Sequence, residues 1–163
     1  MAINKIKKGE ILEKVQGAVA SSASVVFVNF HGLSVEDTTT LRRSLRNENV
    51  AYTVAKKTLI GKALDDAKIE GEKPPLEGEL AIAYGEDLLA PAREVLAFQK
   101  DHKDNIAILG GIFDGAYMNQ SEMMEIALIP PKPVLYGQFV NLINSPIQRF
   151  AVVLDQIAQK QEA

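Results

Sequence analysis

Apolar positions along this chain alternate between two rhythms. Ile3, Ile6, Ile11, Leu12, Val15 and Val19 recur at near-helical spacing with lysines and glutamates between them, which predicts an amphipathic first helix in spite of Gly9 and Gly17. Ser24-Val25-Val26-Phe27-Val28-Asn29-Phe30 is a β-branched and aromatic run closed by His31-Gly32, the pattern of a buried strand entering a turn. Ser34 then starts a helix with Asp37 as its capping-box-like partner. Leu41 and Leu45 mark that helix's buried face, and it ends near Asn47 to Asn49. A second strand, Val50 to Ala55, passes through Lys56-Lys57-Thr58 into a helix carrying Leu59, Ile60 and Leu64.

Residues 65–79 are acidic and broken by Gly71, Pro74, Pro75 and Gly78, which predicts a surface loop. Leu80 to Tyr84 reads as a strand. A helix started by Asp87 follows, with Pro91 near its beginning and Val95, Leu96 and Phe98 inside it. Ile106 to Phe113 reads as a last core strand, and a short helix from Ser121 to Leu128 stops at Pro130-Pro131 and Pro133, the clearest boundary in the chain. Beyond it, Leu135, Phe139 and Leu142 form a helical stripe as far as Asn144-Ser145-Pro146, which makes Pro146 a hinge candidate. From there Ile147, Phe150, Leu154 and Ile157 follow a three-four-three spacing, supplemented by Val152 and Val153; helical to the terminus, this segment would extend about 25 Å. The expected architecture is a compact mixed α/β domain over residues 1–130, a proline-bounded helical connector and hinge over 131–146, and a protruding amphipathic helix over 147–163.

Composition narrows the chemistry. At 163 residues, with 47% apolar and 24% charged positions, the chain has material for one ordinary core plus an appendage. It has no cysteine, which excludes thiolate metal sites and cysteine nucleophiles, and its two histidines, His31 and His102, lie far apart in unlike surroundings. No nucleophile elbow, Walker loop, dinucleotide fingerprint or zinc spacing occurs, and Gly110-Gly111 is too little for a phosphate loop. Catalytic residues, metal ligands and a cofactor are therefore not expected. No apolar run reaches the roughly 18 to 20 residues of a membrane span, and the start lacks a signal-peptide pattern, so the chain is expected in the cytoplasm with no membrane partner.

The net charge of −3 conceals an asymmetry: residues 1–62 hold ten Lys and Arg against five acids, and the remainder holds eight against sixteen. A basic first part joined to an acidic remainder suits a chain that touches a polyanion with one end only. Lys56-Lys57-Thr58 places two ammonium groups at a helix start, where free backbone amides already favour an anion. Arg42, Arg43, Arg46 and Lys62 extend that positive surface if the strands bring their helices to one side. Gly32 ends the first strand where a backbone or ligand can approach closely. At the other end, Ile147, Phe150, Val153, Leu154 and Ile157 give a wide apolar surface on a short helix, which is marginal alone in water and needs cover from its own core or from a partner helix. Two rival readings stand beside this one: a purely protein-binding scaffold, and a small metal-dependent enzyme using Asp65, Asp66, Glu77 or Glu79.

Several stretches together carry a family resemblance. They are Ser24 to Val35, Leu41-Arg42-Arg43-Ser44-Leu45-Arg46, Tyr52-Thr53-Val54-Ala55-Lys56-Lys57-Thr58-Leu59, Gly78 to Tyr84, and Ala127-Leu128-Ile129-Pro130 with the terminal helix. In order and spacing they resemble the bacterial stalk-base protein of the large ribosomal subunit, the ribosomal protein L-ten family. The resemblance implies an α/β domain on large-subunit rRNA at the GTPase-associated centre, beside ribosomal protein L-eleven. It also implies a terminal helix that holds L-seven/L-twelve dimers, forming the stalk that recruits translational GTPases. Gly32, Arg42, Arg43, Lys56, Lys57, Thr58 and Lys62 become the implied RNA contacts, and residues 147–158 the implied partner stripe. This chain departs from the family at His31, where an arginine is usual, and at Lys57, where asparagine is common.

Overall fold

The computed structural model describes residues 5–67, 69–76, 78–102 and 105–161. The first helix, α1, spans Lys5–Ser21 and buries Val15 and Ala18, with Ile11, Leu12 and Val19 partly covered. Ile3 and the side chain of Ile6 lie outside the described residues. Strand β1 is Ser24–Phe30, and helix α2 is Val35–Asn47. The Ser34 hydroxyl oxygen accepts the Asp37 N–H at 3.1 Å and the same hydroxyl donates to Asp37 Oδ2 at 2.6 Å, so this helix start is closed by its own sequence. That hydroxyl, and then the nearby His102, hold the Asp37 carboxyl below the usual carboxylate range.

Strand β2 is Ala51–Val54, and α3 is Lys57–Asp66. Asp65 and Asp66 therefore belong to the last turn of α3 and not to the loop expected from residue 65, because the helix closes only where the Ala67 N–H meets the carbonyls of Ala63 and Leu64. Strand β3, Leu80–Gly85, leads to α4, Ala90–Asp101, which starts later than Asp87. The Asp87 carboxylate instead accepts the Leu89 N–H at 3.0 Å, holding a turn ahead of the helix. Strand β4 is Ile106–Phe113. It is not the last strand: Asp114 and Gly115, both at positive φ, turn the chain into β5, Ala116–Asn119. An Asp-Gly pair of this kind makes a tight hairpin turn whose twist matches the strands it joins. Helix α5, Gln120–Ala127, follows, its start fixed by the Asn119 N–H donating to Glu122 at 2.8 Å.

The five strands form one antiparallel sheet in the order β2-β3-β1-β4-β5. Alternation along β1 sends Val26 and Val28 into a core with Leu41, Leu45, Val95 and Met123, on the face covered by α2, α4 and α5. Val25 and Phe27 enter a second core with Val15, Ile60 and Leu64, on the face covered by α1 and α3. The pairing of β1 with β4 slips between Phe27 and Val28, leaving Leu109 as an extra residue. One inserted residue reverses the facing of all that follow, which is why Ile108 lies in the first core and Ile112 in the second.

The chain divides into two units, Met1–Ile129 and Pro130–Ala163. The second is one continuous helix, α6, Lys132–Gln161, with Pro146 inside it. Pro146 ends no element here, contrary to the stripe expected to stop at Asn144-Ser145-Pro146. Its ring nitrogen has no hydrogen to give the Leu142 carbonyl, but Leu142 and Pro146 are both exposed, so water is at hand for the freed carbonyl. Among the described residues, no helix is long and apolar enough to cross a membrane.

Beside the bulge, β4 needs glycine where it passes β1 and α5. A Cβ at Gly111 would overlap Met123 Cε and the Val25 carbonyl oxygen, and the second of these is backbone that cannot turn aside. Gly111→Ala is expected to destabilise the fold by about 1–3 kcal/mol or more. Urea denaturation read by circular dichroism measures this, and an unchanged midpoint would refute the packing argument.

Candidate nucleic-acid interface and terminal helix

Strand direction assembles one part of the candidate site. Because β1 and β2 each pair antiparallel with β3, they run the same way, and their C-terminal ends emerge at one end of the sheet beside the start of β3. Gly32, just beyond β1, and Lys56-Lys57-Thr58, just beyond β2, therefore share that end. All four are exposed. Gly32 has φ +64°, the left-handed conformation that suits glycine, and its loop is tied down by Asn105, whose Nδ2 donates to the carbonyls of His31 at 3.2 Å and Gly32 at 3.0 Å. Lys56 is the N-cap of α3 and offers no side-chain acceptor, so the first amides of that helix are left for another acceptor. Lys62 lies one helical turn beyond Thr58 and is exposed.

The arginines are arranged differently from the expectation. Helix α2 packs in the first core and α3 in the second, so Arg42, Arg43 and Arg46 are on the opposite layer of the sheet from Lys57 and Lys62. The two sets meet only across β2, the edge strand. Arg42 and Arg46, a turn apart, line a shallow pocket of about 370 Å³ with Asn49 and Tyr52. The Arg42 guanidinium carbon lies 5.7 Å from the centre of the Tyr52 ring, within cation–π range. The positive surface is thus a rim folded around a sheet edge rather than a single flat face.

Among the described residues, none of Arg42, Arg43, Arg46, Lys56, Lys57 and Lys62 forms a salt bridge. Two cations outside this set are engaged: Lys73 holds Asp65 at 2.9 Å, and Arg93 reaches Glu48 at 3.2 Å and Glu94 at 3.6 Å. Asp66 accepts a hydrogen bond from Gln16 at 2.8 Å. Two of the four carboxylates weighed for a metal enzyme are thereby tied to neighbours, Glu79 lies at the lysine end of the sheet, and Glu77 lies outside the described residues. Among the described residues no group of three potential ligands gathers to hold a metal ion.

A groove that sequence reasoning did not foresee runs beside the lysines. It has a volume of about 660 Å³ and is lined by Ile11, Phe30, Val54 and Leu59 as well as Lys56 and Lys57, with Gly78 and Glu79 at the start of β3. Gly78 has φ +74°, and a Cβ there would come within 2.8 Å of the Asn29 amide, so this corner of the loop needs glycine. Local sequence signals do not reveal the groove, because its walls come from α1, β1, β2, α3 and the loop before β3.

On α6, Ile147, Phe150, Val153, Leu154 and Ile157 are between 50% and 68% exposed. Leu135, Tyr136, Phe139, Val140, Leu142 and Ile143 extend the exposed apolar surface toward the start of the helix. An apolar stripe this long on one helix marks an interaction surface rather than scattered surface residues.

A protein-family model described as ribosomal protein L10 matches residues 3–100. The large ribosomal subunit protein uL10 of Clostridium tetani is 34% identical over 162 residues, covering 99% of this chain and 91% of the relative. Its counterpart in Clostridioides difficile is 34% identical over 157 residues, covering 95% and 93%, and that of Leptothrix cholodnii 33% over 160 residues, covering 98% and 87%.

Burial, opposed in part by Arg42, pushes the Tyr52 hydroxyl up to about 12. A phenol whose folded-state pKa is raised adds stability that is fully present below the ordinary value near 10 and is lost as pH climbs from there through about 12. An ultraviolet titration, assigned with Tyr52→Phe, is expected to show this late phenolate. Arg42→Ala should move it later still, and an unchanged transition would show that the guanidinium does not act on the ring.

Proposed function

Because this chain belongs to the ribosomal protein L10 family, and is therefore a structural, ribosome-associated component of the large subunit rather than an enzyme, we propose that it is the base of the ribosomal stalk. In this reading the first unit grips large-subunit rRNA at the GTPase-associated centre, beside ribosomal protein L-eleven. Helix α6 anchors L-seven/L-twelve dimers, and the stalk so formed recruits translational GTPases. The exposed apolar stripe of α6 carries the reading, since it leaves a surface that needs a helical partner. The division at Pro146 into connector and partner-binding helix, residues 131–146 and 147–163, belongs to the same proposal.

Gly32 and Lys56-Lys57-Thr58 contribute an RNA-facing corner at one end of the sheet. Arg42, Arg43 and Lys62 continue it around the β2 edge. Contacts of this kind hold phosphates and read fold shape, because lysines and arginines dominate and the RNA backbone is what they meet first. Binding is then strongly salt-dependent through counterion release. Replacing both Lys56 and Lys57 with Gln should lower rRNA affinity and reduce the slope of log affinity against log salt by about 2, roughly one for each phosphate no longer neutralised. Filter binding over a salt series measures both, and an unaltered slope would remove these lysines from the interface.

Phe150→Glu with Leu154→Glu puts two charges into the centre of the α6 stripe. Loss of stalk-dimer capture by size-exclusion chromatography, with rRNA affinity retained, is the expected result. Dimers that stay bound to this variant would reject the partner assignment.

A further inference from the structure

We infer that Asn105 is a positioning residue of the RNA interface: its side-chain amide takes up the carbonyls of the Gly32 loop and leaves the Gly32 and Leu33 N–H groups to meet one phosphate. The inference rests on the RNA reading above and deepens it, since that reading makes Gly32 a contact and a glycine has no side chain to make one with. Asn105 Nδ2 donates to the carbonyl oxygens of His31 at 3.2 Å and Gly32 at 3.0 Å, and the Asn105 carbonyl accepts the His31 N–H at 2.8 Å. Behind it, the Asn105 N–H donates to the His102 carbonyl at 3.1 Å, which ties the loop to the end of α4. Leu33 packs against the first core and anchors the other end of the loop.

The separation of donors from acceptors points to an anion. A carbonyl oxygen repels phosphate, and those of His31 and Gly32 are both occupied by Asn105. Among the described residues, the N–H groups of Gly32 and Leu33 meet no acceptor, and Gly32 is exposed. Successive backbone N–H groups beside a left-handed residue suit an anion, and Gly32 has φ +64°. Lys56 and Lys57, at the same end of the sheet, supply the charge that draws a phosphate there. Glycine reaches many backbone conformations, so without Asn105 the loop would spread over several, and binding would have to order it. A Cβ at Gly32 would lie 3.5 Å from Asn105 Nδ2, an ordinary contact, so the position needs glycine for its φ rather than for space.

The test uses the full chain, isotope-labelled and titrated with a transcribed fragment of large-subunit rRNA, its amides followed by NMR and its affinity measured across a salt series. The Gly32 and Leu33 amide protons of the wild-type chain should move downfield as RNA is added, the signature of a new acceptor. Asn105→Ala should lose that shift and weaken binding roughly ten-fold, because RNA must then order the loop. The slope of log affinity against log salt should stay as in wild type, since no cation is removed. Its urea midpoint should also stay near wild type, and Asn105→Gln, which keeps the amide on a longer stem, should recover part of both the affinity and the shift. Asn105→Ala binding as tightly as wild type, or wild-type Gly32 and Leu33 signals that do not move with RNA, would overturn the inference and leave the lysine contacts standing. A wild-type chain that does not bind rRNA at all would overturn the RNA reading, and the inference with it.

Discussion

Both faces of β1 are dry, and the placement of every other element follows from this. Val25, Val26, Phe27 and Val28 are each no more than 1% exposed, so successive side chains are committed to opposite cores and the strand cannot slide by one residue without exchanging them. With β1 held between β3 and β4, the helices must divide into two layers, α2 with α4 and α5 on one, α1 with α3 on the other. The same confinement fixes where the strands end. Gly32 and the Lys56-Lys57-Thr58 turn lie at the same end of the sheet, on either side of the start of β3, because β1 and β2 both run antiparallel to it.

Elements whose signals are local were legible in the sequence. β1 runs from Ser24 to Phe30 as its β-branched run implies, and Ser34 starts α2 through hydrogen bonds to Asp37, as their three-residue spacing implies. Placement across the sheet was not legible. That Arg42 and Lys62 sit on opposite layers follows from α2 and α3 covering opposite faces of the sheet, a long-range choice that leaves no trace in spacing along the chain. The β5 hairpin was legible and missed, since Asp114-Gly115 is a strong turn signal. Pro146 lies inside the continuous α6 rather than at an element boundary, with the Leu142 carbonyl that it leaves unbonded on an exposed part of the helix.

The distribution of ion pairs gives the charge asymmetry a structural form. Acidic residues in the middle of the chain neutralise nearby cations, as Asp65 does Lys73 and Glu48 does Arg93. The cations on α2 and at the start of α3 are left without such neighbours among the described residues, and they outline the β2 edge. A four-residue edge strand would otherwise invite pairing with a strand from another chain, and a border of repelling charges discourages that. One set of side chains thus discourages strand partners at that edge.

The apolar stripe of α6 also governs how the molecule behaves in bulk. A helix with Phe139, Leu142, Ile147, Phe150 and Leu154 all more than half exposed makes colloidal stability a function of concentration: dilute chains stay apart, and crowded ones meet stripe to stripe. Raising the concentration of this chain with α6 uncovered is therefore expected to lower its soluble fraction.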